Sequence, residues 1–400
     1  MSVRYVIRLF RLLLLFSLLC SSEAQSRAVL CSGGAGAFET EFRNGVAVHI
    51  GAARNGALAA RSCTASLSWG NQTLVVAESA AEVDLDAFGT DFGDDVPVAA
   101  FQIKKADSEC CMDYEVYSLQ KPPRLLRIIT GGEFFSASDL DLEGTVEIVT
   151  NDAAAVDGFD KFTLGEMDSP PTIVLRLATT HLQDASAQCQ PYFDRQIHSI
   201  RAAIDPHDLE NFRKSDGTLT GGPTGSSPEQ LHQLRAVKIK VLEIVWAYLY
   251  SGREQQAWRS LAAMWPPADF NRVRAALLKS RASGIQRVVD STPIEPMRHK
   301  KKHAQIFDAV NRPEPGSTLE LIPPEPILLQ RPPVSQPQPE LLMELVVDRA
   351  GKVSRAEPVG KTQWADPELI DAAYSWKFIP AFKDGRAVAS RMRIAVAPRQ

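Results

Sequence analysis

Residues 346–398 read VVDRAGKVSRAEPVGKTQWADPELIDAAYSWKFIPAFKDGRAVASRMRIAVAP, and the order of elements in this stretch decides the reading of the C-terminal part of the chain. Val346 and Val347 lead into Asp348-Arg349-Ala350-Gly351, a turn whose glycine suits a positive φ, and Val353 resumes the extended chain, so a β-hairpin is predicted. Asp366 followed by Pro367 is a helix start, with an N-cap and then proline at N1. Leu369, Ile370, Ala373 and Tyr374 recur at helical spacing and predict a helix of about three turns. Pro380 forbids its continuation, and Lys383-Asp384-Gly385 turns the chain into a last strand, Val388 to Val396. Val388, Met392, Ile394 and Val396 share one face of that strand, with Arg391 and Arg393 on the other. The predicted order is β-β-α-β.

This order and its wording resemble the C-terminal domain of TonB family energy transducers over residues 341–398. The matching residues are Val347, Asp348, Gly351 and Val353 in the hairpin, Trp376, Phe378, Pro380 and Ala381 in a Trp-x-Phe-x-Pro-Ala signature, and the Asp384-Gly385 turn. The resemblance implies that the last strand, with Val388, Ser390, Arg391, Met392, Arg393, Ile394 and Val396, takes up a short extended segment of an outer-membrane receptor by β-strand addition. It also implies TonB-dependent transmembrane transport. An unpaired edge is a template for another chain whatever its partner. TonB-like transducers use an uncleaved membrane helix to dock on an inner-membrane motor, and no such helix is readable here.

The N-terminus carries Arg4, Arg8 and Arg11, an apolar run from Leu12 to Cys20 and a small-x-small site at Ser22-Glu23-Ala24. The run is shorter than the roughly 18 residues of a membrane span, so residues 1–24 read as a cleaved signal peptide and the mature chain as periplasmic or otherwise in the cell envelope. Residues 312–340 hold nine of the 26 prolines and read as a polyproline linker. At about 3.1 Å per residue it could extend by roughly 80 to 90 Å. The net charge of −4 hides an acidic excess before residue 228 and a basic one after it, an asymmetry that favours contact between the halves or a separate partner for each.

Residues 25–216 read as a mainly antiparallel β domain. Phe38 to Phe42 alternates, Asn44-Gly45 turns, and Val46 to Ile50 returns, with further short strands at Thr73–Ala77, Val98–Ile103, Leu125–Thr130, Val146–Val149 and Thr172–Leu177. Within it Asp139, Asp141, Glu143 and Glu147, with Gly144 allowing a sharp turn, have the spacing of an oxygen-ligand Ca²⁺ loop. Residues 131–149 resemble the Ca²⁺ loop of FG-GAP or integrin-type repeats, which makes Ca²⁺ the one cofactor implied. An acidic surface turn is the plainer reading. Five cysteines follow the signal; adjacent Cys110 and Cys111 point apart in an extended strand, so each is expected to pair elsewhere.

The Gly/Thr/Ser stretch 217–227 reads as a domain boundary, and residues 228–305 as a helical domain. Leu231, Leu234, Val237, Val241, Leu242, Val245 and Leu249 keep helical spacing, Gly252 breaks the helix, and Ala257, Leu261 and Met264 resume it. Residues 228–265 resemble a single tetratricopeptide-like helix pair. His299 and His303 sit four apart in a basic run that reads as a solvated face. Gly-x-Ser-x-Gly, His-Glu-x-x-His and phosphate-binding loops are absent from the sequence, so neither an enzyme nor a nucleic-acid binder is expected. The expectation is an α+β multidomain protein of the cell envelope that binds an outer-membrane receptor. The alternative is a secreted Ca²⁺-dependent recognition or assembly module without energy coupling.

Overall fold

The computed structural model describes residues 29–53, 61–93, 95–108, 110–178, 180–219, 227–290, 305–310, 321–330, 340–360 and 367–396. The signal-peptide reading of 1–24, the His299/His303 pair and the Asp366 cap lie outside the described residues. The chain is α+β, with an antiparallel sheet at its N-terminal end.

That sheet comprises β1 (Cys31–Ser32), β2 (Phe38–Phe42), β3 (Val46–Ala52), β4 (Cys63–Trp69), β5 (Gln72–Asp91), β6 (Pro97–Lys105), β7 (Met112–Ser118) and β8 (Arg124–Gly132). Strands β2 to β8 pair antiparallel in sequence order, and β1 adds to β5. Gly45 turns β2 into β3 at φ +79°, where a residue with a Cβ is disfavoured. Strand β5 pairs with β4 through its first half and with β6 through its second. From Val83 to Thr90 every residue of β5 is buried, because both faces of the sheet are covered there.

One cover is built from β9 (Phe135–Ser138), β10 (Glu147–Asn151), β11 (Thr172–Ala178) and β12 (His181–Asp184), a second antiparallel sheet in the order β12-β11-β10-β9. The short α1 (Ala153–Val156) follows β10, and α2 (Gln190–Ala202), α3 (Pro206–Arg213), α4 (Pro228–Tyr250), α5 (Glu254–Met264) and α6 (Phe270–Ser283) complete this body. Ser227 and Gln230 form a capping box at the start of α4, with a favourable proline, Pro228, at N1. The boundary expected at 217–227 does not separate two domains. Val116, Ile129, Phe135 and Leu175 share one core with Phe193, Trp246, Leu261 and Leu277. Val241 to Ala247 of α4 are all buried, Glu243 included, so this stretch is enclosed rather than laid on a surface.

The remaining elements are β13 (Phe307–Asp308), β14 (Leu321–Ile322), β15 (Glu325–Leu328), β16 (Leu341–Val347), β17 (Val353–Pro358), α7 (Pro367–Ala373), β18 (Lys377–Ile379), β19 (Ala381–Lys383), β20 (Arg386–Val388) and β21 (Ser390–Val396). The main sheet of this module has the order β13-β21-β16-β17. Helix α7 is shorter than the three turns expected, because the amides of Tyr374, Ser375 and Trp376 each bond three residues back and tighten the chain. The proline-rich stretch is not an extended tether along its whole length. Its residues 321–328 supply β14 against β19 and β15 against β18, and Ile327 is buried beneath the N-terminal sheet. Cys31 is bonded to Cys63, and Cys110 to Cys111, contrary to the expectation that the neighbours pair elsewhere. They lie in the β6–β7 connection, outside the extended strand that would have pointed them apart.

Candidate peptide-binding edge

Strand β21 is held on its inner side by seven register pairs with β16, from Leu341↔Val396 to Val347↔Ser390. On its outer side β13 runs parallel to it, pairing Phe307 with Ser390 and Asp308 with Arg391. The amides of Phe307 and Ala309 donate to the carbonyls of Ala389 and Arg391, at 2.9 and 2.8 Å. These bonds fix the phase of the strand: odd-numbered residues turn their backbone polar groups outward. Arg393 and Ala395 therefore present N–H and C=O groups to an outer edge that no strand among the described residues covers.

The side chains follow the alternation read from the sequence. Met392, Ile394 and Val396 pack on a core with Trp376 and Phe378, while Arg391 and Arg393 are exposed. Both guanidinium groups reach Glu344 on β16, at 3.4 and 3.0 Å. Val388 is not part of this strand. It ends β20, which forms a tight hairpin with β19 through Asp384 and Gly385, both at positive φ. Ser390 is fully buried, and its position alternates with the exposed arginines.

The signature residues hold the module together and also seat it. Gly351 has φ +84°, and a Cβ there would stand 1.8 Å from the Phe378 carbonyl oxygen, which is why glycine is required. Trp376 is buried and its indole donates to the Gln330 carbonyl. Asp348 closes its own turn by accepting from the amides of Ala350 and Lys352, both at 2.8 Å. Its other oxygen accepts from the Ser138 hydroxyl and the Asp139 amide of the central body.

Sequence reading missed the rest of this seat. Lys352 Nζ lies 2.6 Å from Asp86 Oδ1, and Lys377 pairs with Asp84, with all four side chains largely or fully buried. Asp86 also accepts from the Tyr114 hydroxyl at 2.8 Å and the Ala137 amide at 2.7 Å. Burial alone would raise the pKa of Asp86, but Lys352 and Lys377 overcome it and hold the carboxyl below its ordinary range. Phe382 packs edge-on against Phe42 of β2, with ring centroids 5.9 Å apart, and joins the core under β5. The signal in the sequence was Val83-Asp84-Leu85-Asp86-Ala87: carboxylates inside an apolar strand are rarely buried unless paired.

The acidic loop joins β9 to β10, and its carboxylates do not converge on one point. Glu147 binds Arg176 at 2.6 Å, Glu143 lies 3.7 Å from the same guanidinium, and Asp141 accepts from the Glu143 amide. Asp139 accepts from the Gly144 amide and sits near Arg349, and its other oxygen is buried without a hydrogen-bond partner. Burial first, and then the neighbouring Asp348, raise its pKa to about 7 against the pull of Arg349. Among the described residues no group of three or more His, Cys, Asp or Glu is arranged to hold a metal ion, and no helix is long and apolar enough to cross a membrane.

No family model, curated protein or solved structure matches this chain.

Proposed function

We propose that this is a TonB-like binding protein of the cell envelope, whose C-terminal module takes an extended segment of an outer-membrane receptor onto the outer edge of β21. The observation that carries the reading is the edge itself: Arg393 and Ala395 keep outward backbone groups, and the neighbouring positions already accept an added strand. The resemblance in Asp348, Gly351, Trp376, Phe378 and Pro380 supplies the class of partner.

Replacing Arg393 by proline tests it. The Arg393 N–H points away from β16, so the substitution removes a donor for the partner without breaking the inner ladder. Losing one such bond costs on the order of 1 kcal/mol, or roughly fivefold in affinity, and the ring adds a steric obstacle. In the full mature chain Arg393→Pro should abolish or greatly weaken binding of receptor plug-segment peptides, whereas Arg393→Ala should weaken it modestly. Equal binding by all three chains, with circular dichroism unchanged, would overturn the edge reading.

A second reading is a recognition or assembly module without energy coupling. It is favoured by the docking of the module on β5 through Lys352 and Lys377, which ties the edge to the central body. Under that reading no receptor segment binds, and Arg393→Pro is silent.

A further inference from the structure

Strand β13 is the chain's own example of what the β21 edge accepts. Its main-chain bonds are each worth on the order of 1 kcal/mol net, so a free peptide of this length is held only weakly. The segment stays because it belongs to the same chain, where its effective concentration is on the order of millimolar. Three side-chain features accompany the pairing. The Phe307 ring is half-buried and lies 4.2 Å from Lys383 Nζ, a cation–π contact. Asp308 is exposed in register with Arg391, so an acidic residue stands beside a basic one. Ala309 is half-buried where its amide meets the Arg391 carbonyl. Asp308 Oδ1 then accepts from the Val310 amide at 2.9 Å, an Asx-type bond at the residue where the pairing has ended, short of Arg393.

We infer that residues 306–310 are a built-in strand ligand that guards the β21 edge, and that the partner taken in their place runs parallel to β21 with an aromatic, an acidic and a small residue in succession. This rests on the edge being a binding site, as proposed above. With β13 in place an incoming segment reaches only the outward groups of Arg393 and Ala395. Use of the whole edge from Ala389 onward requires β13 to leave, so the apparent affinity falls by the fraction of chains whose edge is open.

The test uses the full mature chain, an Ala309→Pro variant that lacks the N–H given to Arg391, and a fluorescein-labelled peptide of residues 305–310 read by anisotropy. If β13 occupies the edge nine-tenths of the time or more, Ala309→Pro should bind the peptide at least about tenfold more tightly than the unaltered chain. A peptide carrying Asp308→Lys should lose that binding. Hydrogen exchange should show lost protection at the Arg391 amide and unchanged protection at Met392 and Ile394, which face β16. Phe307→Ala is the second variant and should open the edge in the same direction. Unchanged protection at Arg391 in both variants, or an opened edge that takes the peptide no better, would overturn the inference. If receptor segments bind the unaltered and Ala309→Pro chains equally, the guard fails and the receptor reading survives. If the 305–310 peptide binds the opened edge but no receptor segment does, the guard stands and the receptor reading fails.

Discussion

Replacing Lys352 by methionine should weaken the seat of the C-terminal module by several kcal/mol. The stem of the side chain keeps its packing, but Asp86 loses the ammonium 2.6 Å away while remaining fully buried. Removing one member of a buried pair typically costs about 3–5 kcal/mol, because the other charge is left uncompensated. Two features of the site limit the cost. Asp86 keeps its bonds from Tyr114 and Ala137, and Lys377 remains a nearby cation. Taking up a proton at pH 7 caps the penalty at about 4 kcal/mol, from the gap between pH 7 and the ordinary carboxylate pKa. The double variant Asp86→Asn with Lys352→Met should recover much of the loss, since the amide oxygen can accept from Tyr114 and Ala137 without a charge to compensate. Urea unfolding of the full chain measures the difference, and hydrogen exchange across 341–347 and 377–388 reports whether the module detaches first. The defect of Lys352→Met should shrink toward pH 4, where the unpaired carboxyl is neutralised more cheaply. A loss under about 1 kcal/mol, with no recovery in the double variant, would refute the view that this pair seats the module.

Two further outcomes follow from the same interface. Asp139 holds its proton up to about pH 7 in the folded chain and releases it near the ordinary carboxylate pKa when unfolded, so its contribution to stability is full at about pH 4 and is lost as pH rises through 7. Asp139→Asn should flatten part of that slope in urea midpoints taken between pH 5 and 8, with Glu243, also raised to about 7 by burial, keeping the remainder. Gly89→Ala places a Cβ 2.7 Å from Phe382 Cζ and 2.9 Å from Phe42 Cε2 at φ +76°, and should cost about 1–3 kcal/mol from strain and overpacking. Thermal unfolding of that variant should be rescued only in part by Phe382→Leu, which relieves the contact with Phe382 but neither the one with Phe42 nor the backbone strain.

What the sequence showed plainly was periodicity on half-covered elements. The β2–β3 hairpin with its Asn44-Gly45 turn, the apolar spacing of α5, and the alternation of β21 all have one face in a core and one toward solvent. The second half of β5 has no such contrast. Both faces are enclosed, and the partners of its two buried carboxylates, Lys352 and Lys377, come from more than 250 positions along the chain. Helix α4 misled for the same reason: its spacing was correct, but its enclosure by the β9–β12 sheet joined two segments that composition had separated. The prolines of residues 312–340 read as a tether, yet Pro326 sits in an edge pairing with a register shift, where proline's missing N–H is tolerated. The adjacent cysteines were judged on a strand geometry that their turn does not have.

The seat and the edge lie on different parts of the module. The seat uses the Asp348–Lys352 turn, Lys377 and the β19–β20 hairpin, whereas the edge uses the outward groups of β21 beyond Arg391. Lys352 and Arg393 share no side-chain partner, since Arg393 is held by Glu344 and Lys352 by Asp86. Distant substitutions without shared partners add to within about 0.5 kcal/mol. Lys352→Met should therefore leave the affinity of β21 for an added strand unchanged within about twofold, and Arg393→Pro should leave the urea midpoint of the seat unmoved. A chain carrying both should show the two single defects side by side. If Lys352→Met instead changes strand affinity tenfold while circular dichroism is preserved, the module must respond as one coupled element. Its docking on β5 would then be part of how a bound strand is sensed.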